Sequence, residues 1–186
     1  GQASQDTLKL NTTNETDPLY GELVWDSANQ TLAIGMGDGV VLQSGQELLR
    51  IVRNNTASTI TNGTVVKMVG SLGNSGRITV EPSTGLFDEA SKVFGIATHD
   101  IEAGTDGFVT VFGHVRGINT TGSTSGETWV DGDLLYLRPN DSGKLTKIVP
   151  TDTQIKMQVA KVVKAHANGT LDVFITPINE NAVSAT

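Results

Sequence analysis

Residues 95–137 read GIATHDIEAGTDGFVTVFGHVRGINTTGSTSGETWVDGDLLYL. Short apolar runs here are cut at regular intervals by glycine and by Asp, Asn and Thr, the punctuation of short strands joined by tight turns. That grammar predicts a small antiparallel β-barrel or sandwich rather than an active site. The pattern continues on both sides of the stretch. Runs at 64–69, 77–81, 93–98, 107–118, 133–138, 157–164 and 171–176 predict seven strands. Between them lie Asn62-Gly63, Asn74-Ser75-Gly76, Thr105-Asp106-Gly107, Asp141-Ser142-Gly143 and Asn168-Gly169. Asn and Asp tolerate positive φ and glycine has no Cβ to clear, which is what tight hairpin turns need. Single helical turns are expected at 88–92 and, more weakly, at 153–156.

Alternation indicates which faces are wet. Ile78 and Val80 oppose Arg77, Thr79 and Glu81, and Leu171, Val173 and Ile175 oppose Asp172 and Thr176, so these strands have one solvated side. The strand 107–118 differs. Val109, Val111 and Val115 are expected on one face, with Phe108, Phe112 and Ile118 on the other beside Thr110, His114 and Arg116. A strand apolar on both sides calls for a second cover, either residues 20–34 of its own chain or another subunit.

Upstream, residues 1–18 carry Leu8 and Leu10 as their only large apolar side chains and are read as an extended arm ordered, if at all, by a partner surface. Strands at 22–25 and 31–34 form a hairpin that is too small to be stable alone and must lie on the barrel or be completed by other chains. Ser44 and Glu47 are spaced as in a helix capping box, yet 50–54 reads as a strand entering a turn, and strand is preferred over 42–52. The expected layout is thus an arm at 1–18, a hairpin and oligomerisation segment at 19–50, a barrel at 51–178 and a tail at 179–186.

The 186 residues hold no cysteine, which removes disulfides, thiolate metal sites and thiol nucleophiles. A net charge of −7 sets up a field that opposes binding to nucleic acid or an anionic bilayer, and no apolar run approaches the roughly 20 residues of a membrane helix. Residues 1–6 lack the basic and apolar regions of a secretory signal. Neither nucleic acid nor membrane is expected as a partner.

Candidate chemistry is thin. His99, His114 and His166 have no Gly-x-Ser-x-Gly elbow to serve. Trp129-Val130-Asp131-Gly132-Asp133 sets two carboxylates beside an indole, as a calcium loop or a sugar platform would, but the distal glutamate of a calcium loop is missing. A turn with Trp129 packed over the next strand is the preferred reading. Asp26 with Asp38 or Glu22 has the residue types of a glycosidase pair, without anything to show convergence. Gly35, Gly37 and Gly39 lack the lysine and hydroxyl of a phosphate loop and read as a hairpin turn. The Asn-x-Thr triplets at Asn11, Asn62, Asn119 and Asn168 are assigned no function. No catalytic residue, metal ligand or cofactor is expected.

Gly95-Ile96-Ala97-Thr98, Asp100-Ile101, Gly104, Gly107-Phe108-Val109-Thr110 and Gly113-His114-Val115-Arg116-Gly117 resemble a recurrent sequence in structural proteins of tailed bacteriophages. Trp129, Asp131-Gly132-Asp133, Leu135-Tyr136-Leu137, Gly143-Lys144-Leu145-Thr146, Pro150 and Val159-Ala160-Lys161-Val162-Val163 continue it in order. Upstream, Gly21-Glu22-Leu23-Val24-Trp25-Asp26, Thr31-Leu32 and Gly45-Gln46-Glu47 are similar to the segment that precedes it in such proteins. The likeness covers about residues 20–176, and similar modules occur in capsid decoration (cement) proteins and in head or tail fibres. It implies a non-enzymatic virion protein, commonly a homotrimer, whose partners are its own copies and the major capsid protein or tail and fibre proteins.

On that resemblance Trp25, Leu32, Phe108 and Phe112 are expected at an oligomer interface. The alternative is a tail-fibre adhesin for a host surface glycan, with Trp129 and Tyr136 as its stacking platform. A polysaccharide hydrolase using Asp131 and Asp133 is a third option.

Overall fold

The computed structural model describes residues 7–13, 17–151 and 154–175. Residues 1–6 and 14–16 of the expected arm, Thr153, the strand end at Thr176 and the tail 179–186 lie outside the described residues. The chain divides into two compact units, Gly1–Glu47 and Leu48–Thr186.

The first unit is an antiparallel three-stranded sheet in the order β1 (Leu23–Asp26), β2 (Thr31–Gly37), β3 (Val40–Gln43). Its first turn is held by Asp26, whose carboxylate accepts the Asn29 backbone N–H at 2.9 Å and the Asn29 carboxamide N–H at 2.6 Å. The second turn is two residues long, Asp38 and Gly39, with φ of +53° and +74°. Positive φ at both positions is the type I′ turn whose twist matches paired strands. Gly35 is glycine for a different reason, because a Cβ there would run into the backbone carbonyl of Leu19. Residues 42–52 are two strands around a turn: β3 ends at Gln43, Gly45 turns at φ +82°, and β4 (Leu48–Asn54) begins.

The second unit holds β4, β5 (Val65–Leu72), β6 (Arg77–Pro82), a single helical turn α1 (Phe87–Ala90), β7 (Val93–Ala97) and β8 (Asp106–Ile118). It continues with β9 (Leu134–Leu137), β10 (Leu145–Thr146), β11 (Gln158–Lys164) and β12 (Gly169–Phe174). Pairing runs β8-β4-β6-β5-β7 and returns to β8, closing a five-stranded barrel and leaving it no free edge. The β4–β6 pair is parallel, an exception to the antiparallel expectation. The C-terminal half of β8 leaves the barrel and pairs β12, which continues through β11 and β9 to β10. Residues 154–156 form no helix.

One strand therefore serves two cores. Val52, Val66, Val80, Ala97 and Val109, one from each barrel strand, meet Ile60 and Ile101 in the barrel interior. Val65 and Ile96, immediately before Val66 and Ala97, point the opposite way and join Val115, Leu135, Leu137, Leu171 and Val173 in a second cluster. Val109 and Val115 thus belong to different cores rather than to one face. Val111, expected with them, is the extra residue of a bulge: Leu48 pairs Phe112 while Leu49 pairs Thr110.

Candidate interaction surface

The β1–β2–β3 register sorts the side chains of the first unit. Leu23 pairs Ile34, Trp25 pairs Leu32, and Ile34 pairs Leu42, so five large apolar side chains share one face. Val24, Ala33 and Gln43 take the other. None of the five belongs to either buried cluster; Leu23 is 51% exposed and the other four are half-buried. Trp25 and Leu32, expected at an interface, are therefore brought together at the centre of an apolar sheet face. Sequence reasoning missed Ile34 and Leu42, although alternation along 31–34 could have placed Ile34 beside Leu32.

Phe108 and Phe112 are not brought together. Phe112 pairs Leu48 and Phe108 pairs Ile51, and Leu48 and Ile51, three residues apart on a regular strand, face opposite ways. The bulge at Val111 is the cause, since one inserted residue flips everything beyond it. Phe112 is 56% exposed. Phe108 is half-buried, its ring tilted toward His99 at 6.1 Å, while His99 Nε2 accepts the Phe108 N–H at 2.9 Å. His99 is thereby a packing residue, and Gly107 is glycine because a Cβ there would press on Ile101 and His99.

Trp129 and Tyr136 do not form an exposed platform, since they are 6% and 9% exposed and sugar stacking needs an open ring face. Trp129 is buried in the second cluster and its indole N–H donates to Glu127 at 2.8 Å. Glu127 also accepts from the Thr146 hydroxyl at 2.5 Å and the Lys147 N–H at 2.9 Å. Burial raises its pKa, but the bonds from Thr146, Trp129 and Lys147 and the nearby Arg138 outweigh it and hold the carboxyl below the usual range.

The carboxylates named for hydrolysis are turn braces. Asp131 accepts the Ala165 N–H at 2.7 Å; Asp133 accepts the Val130 N–H at 2.9 Å and meets Lys147 at 3.3 Å. Glu22 accepts the Leu19 N–H at 2.9 Å, and Asp26 is held below its usual pKa chiefly by the Asn29 carboxamide. Among the described residues no group of three or more His, Asp or Glu could hold a metal, and no helix is long and apolar enough to cross a membrane. The Asn-x-Thr triplets at Asn11 and Asn119 are local turns in which the Asn carbonyl accepts from the Thr N–H, at 3.0 Å in each.

Charge is divided as unevenly as apolar surface. Residues 1–47 carry seven carboxylates against Lys9, a net charge of −6, which leaves −1 for the remainder.

Comparison with known families matches residues 42–176 to a model described as phage cement protein. Among solved structures, the chain is similar to the head fibre gp8.5 N base of bacteriophage phi29. The identity is 13%, the match covers 72% of this chain and 100% of that one, and the TM-score is 0.37. Comparison with curated proteins found no match.

Proposed function

Since the chain belongs to the phage cement protein family, whose members are structural proteins of the virion, we propose that it decorates the capsid as a homotrimer and acts by burial rather than by chemistry. The observation that carries the trimer is the face of Leu23, Trp25, Leu32, Ile34 and Leu42. A three-stranded sheet with one wholly apolar face needs a cover, and three copies packing these faces around a common axis supply it. Each apolar side chain withdrawn from water there contributes about 25 cal/mol per Å², set against the cost of association. Phe112, exposed beside Leu48, adds a second apolar contact in the second unit. On the particle, each trimer ties neighbouring shell subunits together and raises the force or temperature at which the shell opens.

Sedimentation velocity tests the assembly. A chain of 19.6 kDa should sediment as three copies at micromolar concentration, and Trp25→Glu with Leu32→Glu should yield monomers. Particles lacking the protein should then release their genome at lower temperature than decorated ones. A stable monomer of the unaltered chain would end this reading.

A further inference from the structure

The two units differ in what they bury. In the second, the buried apolar side chains form two clusters, with Val52, Val80 and Val109 fully buried in one and Leu135, Leu171 and Val173 in the other. Among the described residues of the first unit the buried apolar side chains are Ala33 and Val40, and neither belongs to a cluster. Two small side chains make no core. A sheet of three short strands is stable in water only once a hydrophobic face is packed on something.

The bonds that shape the first unit are local. Its first turn is closed by Asp26 and Asn29, and its second by positive φ at Asp38 and Gly39. Past β3 the Gln43 N–H donates to the Glu47 carboxylate at 3.3 Å, and the Gln43 carbonyl accepts from the N–H groups of Gln46 and Glu47. Such bonds set the register but withdraw little apolar surface from water, so they do not offset the entropy lost in ordering the strands. The cover that the chain itself supplies lies on the wrong side for the apolar face. Pro18 and Leu19 come so close to Gly35 that a Cβ there would strike their carbonyls, and Gly35 alternates onto the face of Ala33, opposite Leu32 and Ile34.

We infer that the β1–β2–β3 sheet is ordered only in the assembled protein, so that its folding and trimer formation are one step, while the second unit folds in the single chain. The inference rests on the homotrimer and adds a conformational switch to it. The face of Leu23, Trp25, Leu32, Ile34 and Leu42 then exists as a face only where copies meet, and a free chain presents no preformed apolar sheet to other surfaces. Ordering three sheets in one association step sets three entropy costs against a single burial, which makes assembly steep in concentration. Such a chain stays dispersed when dilute and locks where copies are crowded together.

The test is hydrogen exchange read by mass spectrometry on the full-length chain, diluted through its trimer-to-monomer transition as followed by sedimentation. In monomers, peptides from 22–43 should exchange within about tenfold of an unstructured chain while those of β8, β11 and β12 stay protected. In trimers the 22–43 peptides should gain at least about a hundredfold protection. Trp25→Glu with Leu32→Glu should leave 22–43 unprotected at every concentration and keep β8, β11 and β12 protected, which separates loss of the sheet from failure to fold. If 22–43 is as protected in monomers as in trimers, the inference is overturned while the trimer stands. If β8, β11 and β12 lose protection together with 22–43 on dilution, the whole chain folds on assembly and the separate folding of the second unit is overturned. If the unaltered chain does not self-associate at all, the trimer itself fails and the coupling with it.

Discussion

Replacing Glu89 by glutamine removes one charge from the single helical turn between β6 and β7. Glu89 Oε1 meets Lys67 Nζ at 2.6 Å, while Oε2 accepts the Thr84 N–H at 2.8 Å and the Thr84 hydroxyl at 2.7 Å. The hydrogen bond from Lys67, followed by that from the Thr84 side chain, lowers the carboxyl from 4.5 to about 2. A displacement of that size sets a ceiling of about 3 kcal/mol on the stabilisation. The side chain is 29% exposed, and solvent screening reduces the working figure to about 1–2 kcal/mol. Because the folded pKa is the lower one, the contribution is complete above the unfolded value of 4.5 and is lost as the pH falls toward 2. Urea unfolding followed by tryptophan fluorescence, at one protein concentration, should therefore show Glu89→Gln less stable by about 1–2 kcal/mol at pH 7. The gap should close as the pH approaches 2. A gap of the same size at both ends of that range, or none at pH 7, would refute the reasoning.

Glu127→Ala strands an indole N–H, a hydroxyl and a backbone N–H around a side chain that is 6% exposed; it should cost about 3–5 kcal/mol and flatten the near-ultraviolet dichroism of Trp129. Gly169→Ala would drive its methyl into Thr120 Oγ1 and the carbonyl of Lys164 and should cost more than about 2 kcal/mol in urea unfolding. Adding Thr120→Ala should not rescue it, since the backbone carbonyl stays. Asp106→Asn loses ion pairs to Arg53 at 3.4 Å and Arg77 at 3.2 Å, but its side chain is 37% exposed, so the unfolding midpoint should shift by the equivalent of less than about 1 kcal/mol.

Local chemistry made much of the architecture legible. Asp38-Gly39 and the other turn dipeptides mark hairpins because positive φ is tolerated by few residues, and that constraint acts within two or three positions. The alternation of Leu171 with Asp172 is equally local and marks both a strand and its buried side, whereas that of Ile78 with Thr79 marks a strand but not a wet side, since Thr79 is buried at 6% exposure inside the closed barrel sheet. The apolar pair Trp25 and Leu32 could be named for the same reason.

What only the tertiary structure decided is how those strands close and where their periodicity breaks. Whether Val109 and Val115 share a core depends on β8 leaving the barrel midway, a matter of partners distant in sequence. The bulges at Val111 and between Val162 and Lys164 are single unpaired residues with no composition of their own, yet they separate Phe108 from Phe112 and bring Lys161 beside Lys164. Trp129 and Tyr136 read as a platform because aromatic residues near a carboxylate look alike whether open or covered. Their burial is settled by β9, β10 and β11, which no window of sequence contains. Side-chain period is a property of one strand, whereas face and burial belong to the sheet, and a one-residue slip is enough to part them.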